Sequence, residues 1–169
     1  MLDSHSDIVR RAGPLRPLSD PPPLAGGFAF NESILGGIGV PKEQIVPETV
    51  KPVAAYSTGF KVSGGSLIML AGMVSADTEG NTVGEGAIGA QTQKVFDNIR
   101  ETLETAGAGL KDIIRLTVYL TDRADFPGHM KVRSGLLTEP YPASTLLIIS
   151  GLARPEWLVE IDTVAFIED

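Results

Sequence analysis

Glu160 is the charge in this sequence that most invites a chemical reading. It stands inside the apolar run Leu158 to Phe166, between Val159 and Ile161, where a carboxylate is costly to bury unless paired or hydrogen-bonded. Beside an electrophilic carbon it could orient or activate water as a general base. The neutral alternative is an acid on the solvated face of an edge strand, or one paired with Arg115 or Arg133. Tyr56, Ser144 and Thr145 offer hydroxyls, and Gly72, directly after an apolar run, offers a backbone N–H that needs no side chain. A serine nucleophile needs a base within reach, yet His5 and His129 sit in no Ser/His/Asp pattern. His129 and Arg133 lie four apart and share a helix face. That face is expected to be solvated; the sharper alternative is that Arg133 brings a cation to a pocket. Arg154, before Pro155, has a similar claim.

Composition removes several other chemistries. The chain has 169 residues, no cysteine and two histidines, so neither thiolate sites nor a metal-ligand cluster is expected, and no cofactor is implied. Gly84-Glu85-Gly86 and Gly107-Ala108-Gly109 open no strand–loop–helix unit of the phosphate-binding kind. A net charge of −7 argues against a nucleic-acid partner. No segment approaches the roughly 20 apolar residues of a membrane span, and the N-terminal arginines precede no signal-like apolar run. The lack of cysteine fits a reducing cytoplasm, the expected location.

These residues need elements to position them. Residues 1–50 scatter prolines and glycines that oppose long helices and central strands. They read as a flexible leader or as an arm wrapping the domain or a neighbouring subunit; Phe28, Phe30, Ile34 and Leu35 favour the arm. Residues 51–169 form the regular domain. Ala55 to Val62 and Ser66 to Ala71 read as strands of a hairpin around Ser63-Gly64-Gly65. Ala87 to Ala106 reads as a helix, with Ile88, Thr92, Val95, Ile99 and Leu103 as its apolar stripe and Gly107 as its stop. Ile113 to Leu120 is a strand, and Asp125 is placed to cap a second helix over Phe126 to Leu137. Thr145 to Ile149 and Leu158 to Phe166 are the last two strands. The order β-β-α-β-α-β-β predicts an α+β fold: a mixed sheet with two helices packed on one face.

With these elements in place, the sequence resembles the RidA (YjgF) family of imine and enamine deaminases over about residues 51 to 168. The resemblance rests on Pro52-Val53-Ala54-Ala55-Tyr56-Ser57, Ala71-Gly72-Met73, Gln91-Thr92, Asn98-Ile99, Ala106-Gly107 and Leu110-Lys111-Asp112-Ile113-Ile114. Thr117-Val118-Tyr119-Leu120-Thr121-Asp122, Asp125-Phe126, Pro142-Ala143 and Leu158-Val159-Glu160-Ile161 complete it. It implies a chorismate-mutase-like fold and a homotrimer with a barrel-like core. It also implies small-molecule pockets at the subunit interfaces, where 2-aminoacrylate and related imines are hydrolysed without metal or cofactor.

In that family an arginine after Pro-Ala grips the substrate carboxylate, and a glutamate on the last strand positions water. Tyr56, Gly72 and Glu160 match the pattern, but the arginine position is Ser144. Ala71, Met73 and Met130 stand where a serine, a glutamine and an asparagine are usual. These changes make the pocket less polar. The expected catalytic residues are Glu160 and Gly72; the expected ligand contacts are Tyr56, Ala71, Met73, Met130, Arg133, Ser144 and Thr145. The expected activity is cofactor-independent hydrolysis of an enamine or imine larger or more apolar than 2-aminoacrylate. The alternative is a non-catalytic trimer of the same fold that binds a small molecule.

Overall fold

The computed structural model describes residues 41–50 and 52–169. The arm reading of the leader falls mainly on residues 1–40, which lie outside the described residues. Six strands and two helices follow in order: β1 (Lys42–Ile45), β2 (Gly59–Val62), β3 (Ser66–Val74), α1 (Ile88–Thr105), β4 (Ile113–Leu120), α2 (Phe126–Leu136), β5 (Ala143–Ile148) and β6 (Val159–Ile167). Four strands form one sheet in the order β3-β6-β4-β5. The β4–β5 pair is parallel, and β6 is antiparallel to both β3 and β4.

Helix α1 lays its stripe on this sheet because its apolar residues recur every three or four positions. Val95, Phe96, Ile99 and Leu103 are buried against Leu116, Val118, Val159 and Ile161. Full burial of each such side chain contributes roughly 1.5–3 kcal/mol, far more than helix propensity supplies per residue. The helix stops where expected. Ala108 N donates to Leu103 O at 2.9 Å and Gly107 N to Glu104 O at 3.0 Å, a Schellman motif with Gly107 left-handed at φ 77°.

Two local expectations are corrected. Strands β2 and β3 do not form a hairpin with each other: β2 pairs with β1 in a separate two-stranded sheet, while β3 pairs with β6. Ser63 N extends the β1–β2 pairing by donating to Pro41 O at 2.9 Å. Gly64 and Gly65, at φ 59° and 140°, then carry the chain across the end of β6. A Cβ on Gly65 would stand 2.4 Å from Ile167 O. Asp125, in turn, makes no side-chain cap on α2. A short 3₁₀ turn at Arg123–Asp125 precedes the helix, and Asp122 caps that turn by accepting from Ala124 N at 2.8 Å.

Candidate active site

The β3–β6 register jumps from Leu70↔Thr163 to Met73↔Ile161. Ala71 and Gly72 therefore share one opposing residue, Asp162, as a bulge in β3. The bulge turns Gly72 towards Glu160, on the sheet face opposite the helices. A Cβ on residue 72 would stand 2.0 Å from Glu160 Oε1 and 2.8 Å from its Cδ. Only a residue without a side chain lets the carboxylate occupy that place. Glu160 is half-buried and makes no ion pair among the described residues. Burial, with the Asp162 charge adding, raises its carboxyl above the ordinary carboxylate value. Its strand β6 is central, with β3 on one side and β4 on the other, so the edge-strand alternative does not hold. Tyr119, paired with Glu160 across β4 and β6, donates its hydroxyl to Asp162 Oδ2 at 2.9 Å. That bond, first among the causes, raises the phenol's pKa.

Two amide side chains of α1 hold the strand ends on either side of this pair. Gln91, fully buried, donates to Glu156 O at 2.8 Å and accepts from Leu158 N at 2.9 Å. Asn98 donates to Val74 O at 3.1 Å and to Ala76 O at 3.0 Å. Leu158 is two residues before Glu160 and Val74 two after Gly72, so both ends of the site are tied to one rigid helix. Trp157 Nε1 donates to Thr82 Oγ1 at 3.1 Å. Arg154 lies 4.9 Å over the Trp157 ring and donates to Gly80 O, so it braces this loop.

A second group forms on the helix side of the sheet. Tyr56, Met130, Arg133 and Ser144 line one cavity of about 300 Å³ between α2, β5 and the segment 53–56. His129 lines it too. The expected solvated face of α2 is therefore overturned: His129 is fully buried and Arg133 is 3% exposed. The helix turns Lys131, Ser134 and Gly135 to solvent instead. Arg133 Nη1 donates to Ala55 O at 2.8 Å, and His129 Nδ1 lies 3.4 Å from Thr92 Oγ1. Burial, with the neighbouring Arg133 charge, lowers the His129 pKa to about 4, so the ring is neutral near pH 7. Burial also lowers the pKa of Arg133, although a guanidinium keeps its proton.

The expected residues thus fall into two groups on opposite sheet faces. Gly72 and Glu160 touch, with Ala71 exposed beside them on the bulge. Met73 joins neither group, since the bulge turns it inward opposite Ile161 and against the core. Thr145 points away from the cavity. It shares a shallow cleft with Tyr56, Arg115 and Ser144. His129 entered the sequence reading as a histidine outside any Ser/His/Asp pattern and as part of a solvated face, and Asp162 not at all; their signals were a helical i,i+4 partner and a second acid two residues after Glu160. Among the described residues no group of three metal-binding side chains occurs, and no helix is long and apolar enough to cross a membrane.

The mixed sheet backed by two helices, with a half-buried carboxylate held against a bulge, defines the chain as an α+β domain. The family described as Endoribonuclease L-PSP matches residues 46–167. A RutC family protein of Pyrococcus abyssi is 38% identical over 128 residues, covering 75% of this chain and 98% of that protein. A protein named 3-aminoacrylate deaminase RutC, of Acinetobacter baylyi, is 33% identical over 129 residues, covering 76% and 100%. The solved structure of a Rid family protein of unknown function from Yersinia pestis matches with a TM-score of 0.67 at 29% identity, covering 76% and 100%. The chain belongs to the RidA (YjgF) family.

Proposed function

We propose that the protein is a cofactor-independent hydrolytic deaminase of an enamine or imine more apolar than 2-aminoacrylate. The observation that carries this is the seating of the Glu160 carboxylate against Gly72, half-buried, raised in pKa and without an ion pair among the described residues. An enamine first takes a proton at carbon to give the protonated imine. Glu160 accepts a proton from water as the oxygen adds to the imine carbon. That proton then passes to nitrogen, the new hydroxyl gives up its own proton as the C–N bond breaks, returning the one first taken up at carbon, and the carbonyl product and ammonia leave. In this reading the amide N–H of Gly72 receives an oxygen, and Tyr56 and Ser144 position the ligand. A base whose pKa lies nearer the working pH transfers protons in both directions.

One chain does not bring the two groups together, because Glu160 and the cavity lie on opposite faces of its sheet. A complete site therefore draws on a second copy, which supports a trimer with pockets at its interfaces. The exposed face is suited to such contact: Leu67, Met69 and Leu147 stand 53%, 76% and 41% exposed on it. The absence of arginine at position 144 favours the second reading, a trimer that binds a small molecule without turning it over. Ammonia and keto-acid release from imines generated in situ, from small and charged to aromatic, separates the two. Release above the uncatalysed rate supports the deaminase; silence from a folded, assembled protein favours the binding module.

A further inference from the structure

Arg133 lines the cavity beside α2 and carries a guanidinium edge that has no partner among the described residues. Arg133 uses Nη1 on Ala55 O. Its Nε and Nη2 are buried and have no hydrogen-bond partner among the described residues. Those two atoms carry the parallel N–H bonds of the side-on fork, the edge that meets a carboxylate in bidentate fashion. The Nε2 of neutral His129 is likewise buried without a partner. Among the described residues no Asp or Glu lines the cavity, so none of them neutralises the charge there. A buried cation left with two free donors is expensive, and an unmet pair with matching geometry marks a place for a ligand. Apart from Tyr56 and Ser144, the remaining wall is apolar, with Val53, Val118, Phe126 and Leu146.

We propose that Arg133 is the anchor for the carboxylate of a ligand with an apolar body, which fills the cavity between α2 and β5, with His129 Nε2 as a further polar contact. The anchor then comes from α2 rather than from β5, whose Ser144 lines the same cavity. The cavity, at about 300 Å³, suits a branched or aromatic monocarboxylate more than a two- or three-carbon acid. The proposal rests on the deaminase reading only for the claim that this ligand is also the reactant.

The test measures binding of 4-methyl-2-oxopentanoate and of its methyl ester to the full chain by calorimetry. It also follows the Arg133 Nε–H resonance by nitrogen-edited NMR. The acid is expected to bind and shift that resonance, and the ester to do neither. Arg133→Met keeps an apolar stem and is expected to weaken binding by about 10- to 100-fold, the loss of a charge-assisted bidentate pair. Arg133→Lys, which keeps the charge without the fork, falls in between. Ser144→Asp, which places a carboxylate in the cavity, abolishes binding and raises the melting temperature; it serves where Arg133→Met does not fold. Undiminished binding in either Arg133→Met or Ser144→Asp, no binding by the native protein, or an unmoved resonance at saturation overturns the proposal. Arg133-dependent binding without turnover of any imine leaves the anchor standing and sinks the deaminase reading. Turnover with an unchanged KM in Arg133→Met does the reverse.

Discussion

Replacing Gly72 with alanine adds a single carbon, and the structure says what it meets. The new Cβ would stand 2.0 Å from Glu160 Oε1, 2.8 Å from Cδ and 3.0 Å from Cγ, so the whole carboxylate end must swing away. Forcing a methyl into a packed position costs about 1–3 kcal/mol. Glu160 is half-buried and can rotate towards solvent, so the low end, about 1 kcal/mol, is expected. For the described domain that lowers the melting temperature by roughly 3–6 °C. The decisive form is a double-mutant cycle. In a Glu160→Ala background the obstacle is gone, and Gly72→Ala is expected to be neutral or slightly stabilising, because it restricts the unfolded chain. Thermal unfolding of the four proteins reads a coupling of about 1 kcal/mol or more. Equal cost in both backgrounds would refute the contact. Displacing a catalytic group by about 1 Å costs roughly 100-fold in rate, so activity falls much further than stability.

Other expectations concern pH and the helix clamps. The Glu160 carboxyl is raised in the fold above its ordinary 4.5, so its ionisation opposes folding: its contribution is fully present below 4.5 and is lost as pH rises through the raised value. Glu160→Gln is therefore expected to be more stable than the native protein at pH 7, with the relative gain vanishing below about pH 4, as urea midpoints at both pH values show. His129 acts in the other direction: lowered from 6.5 to about 4, it lets the unfolded chain bind more protons across that window. Stability then falls by up to about 3 kcal/mol as pH drops through it, a slope that flattens in His129→Gln. Gln91→Leu strands Glu156 O and Leu158 N and is expected to cost about 1–3 kcal/mol in urea unfolding.

Much of the fold was legible from periodicity. The stripe Ile88, Thr92, Val95, Ile99, Leu103 marked α1, and alternation marked β4, because burial on one face imposes a repeat on each element. The Ser63–Gly65 turn was legible as a turn but not by its partners, since a local signal does not say which strand pairs with β3. Strand β1 was hidden among prolines. The placement of His129 and Arg133 followed from no sequence rule: i,i+4 spacing says two residues share a face, not which way it points, and α2 carries polar residues all round. Gln91 and Asn98 read as family letters; their partners are backbone atoms, which leave no trace in side-chain identity. The Gly72–Glu160 contact joins residues 88 positions apart in sequence through a bulge, and only the family resemblance had placed them in one site.

The most direct test of the account is the rate of keto-acid formation by Glu160→Gln beside the native protein, on the imine the native protein turns over fastest. A positioned proton-transfer group contributes about 10²- to 10⁴-fold, so a loss of at least about 100-fold in a variant that stays folded is predicted. A folded Glu160→Gln that keeps the native rate would contradict the assignment of water handling to this carboxylate.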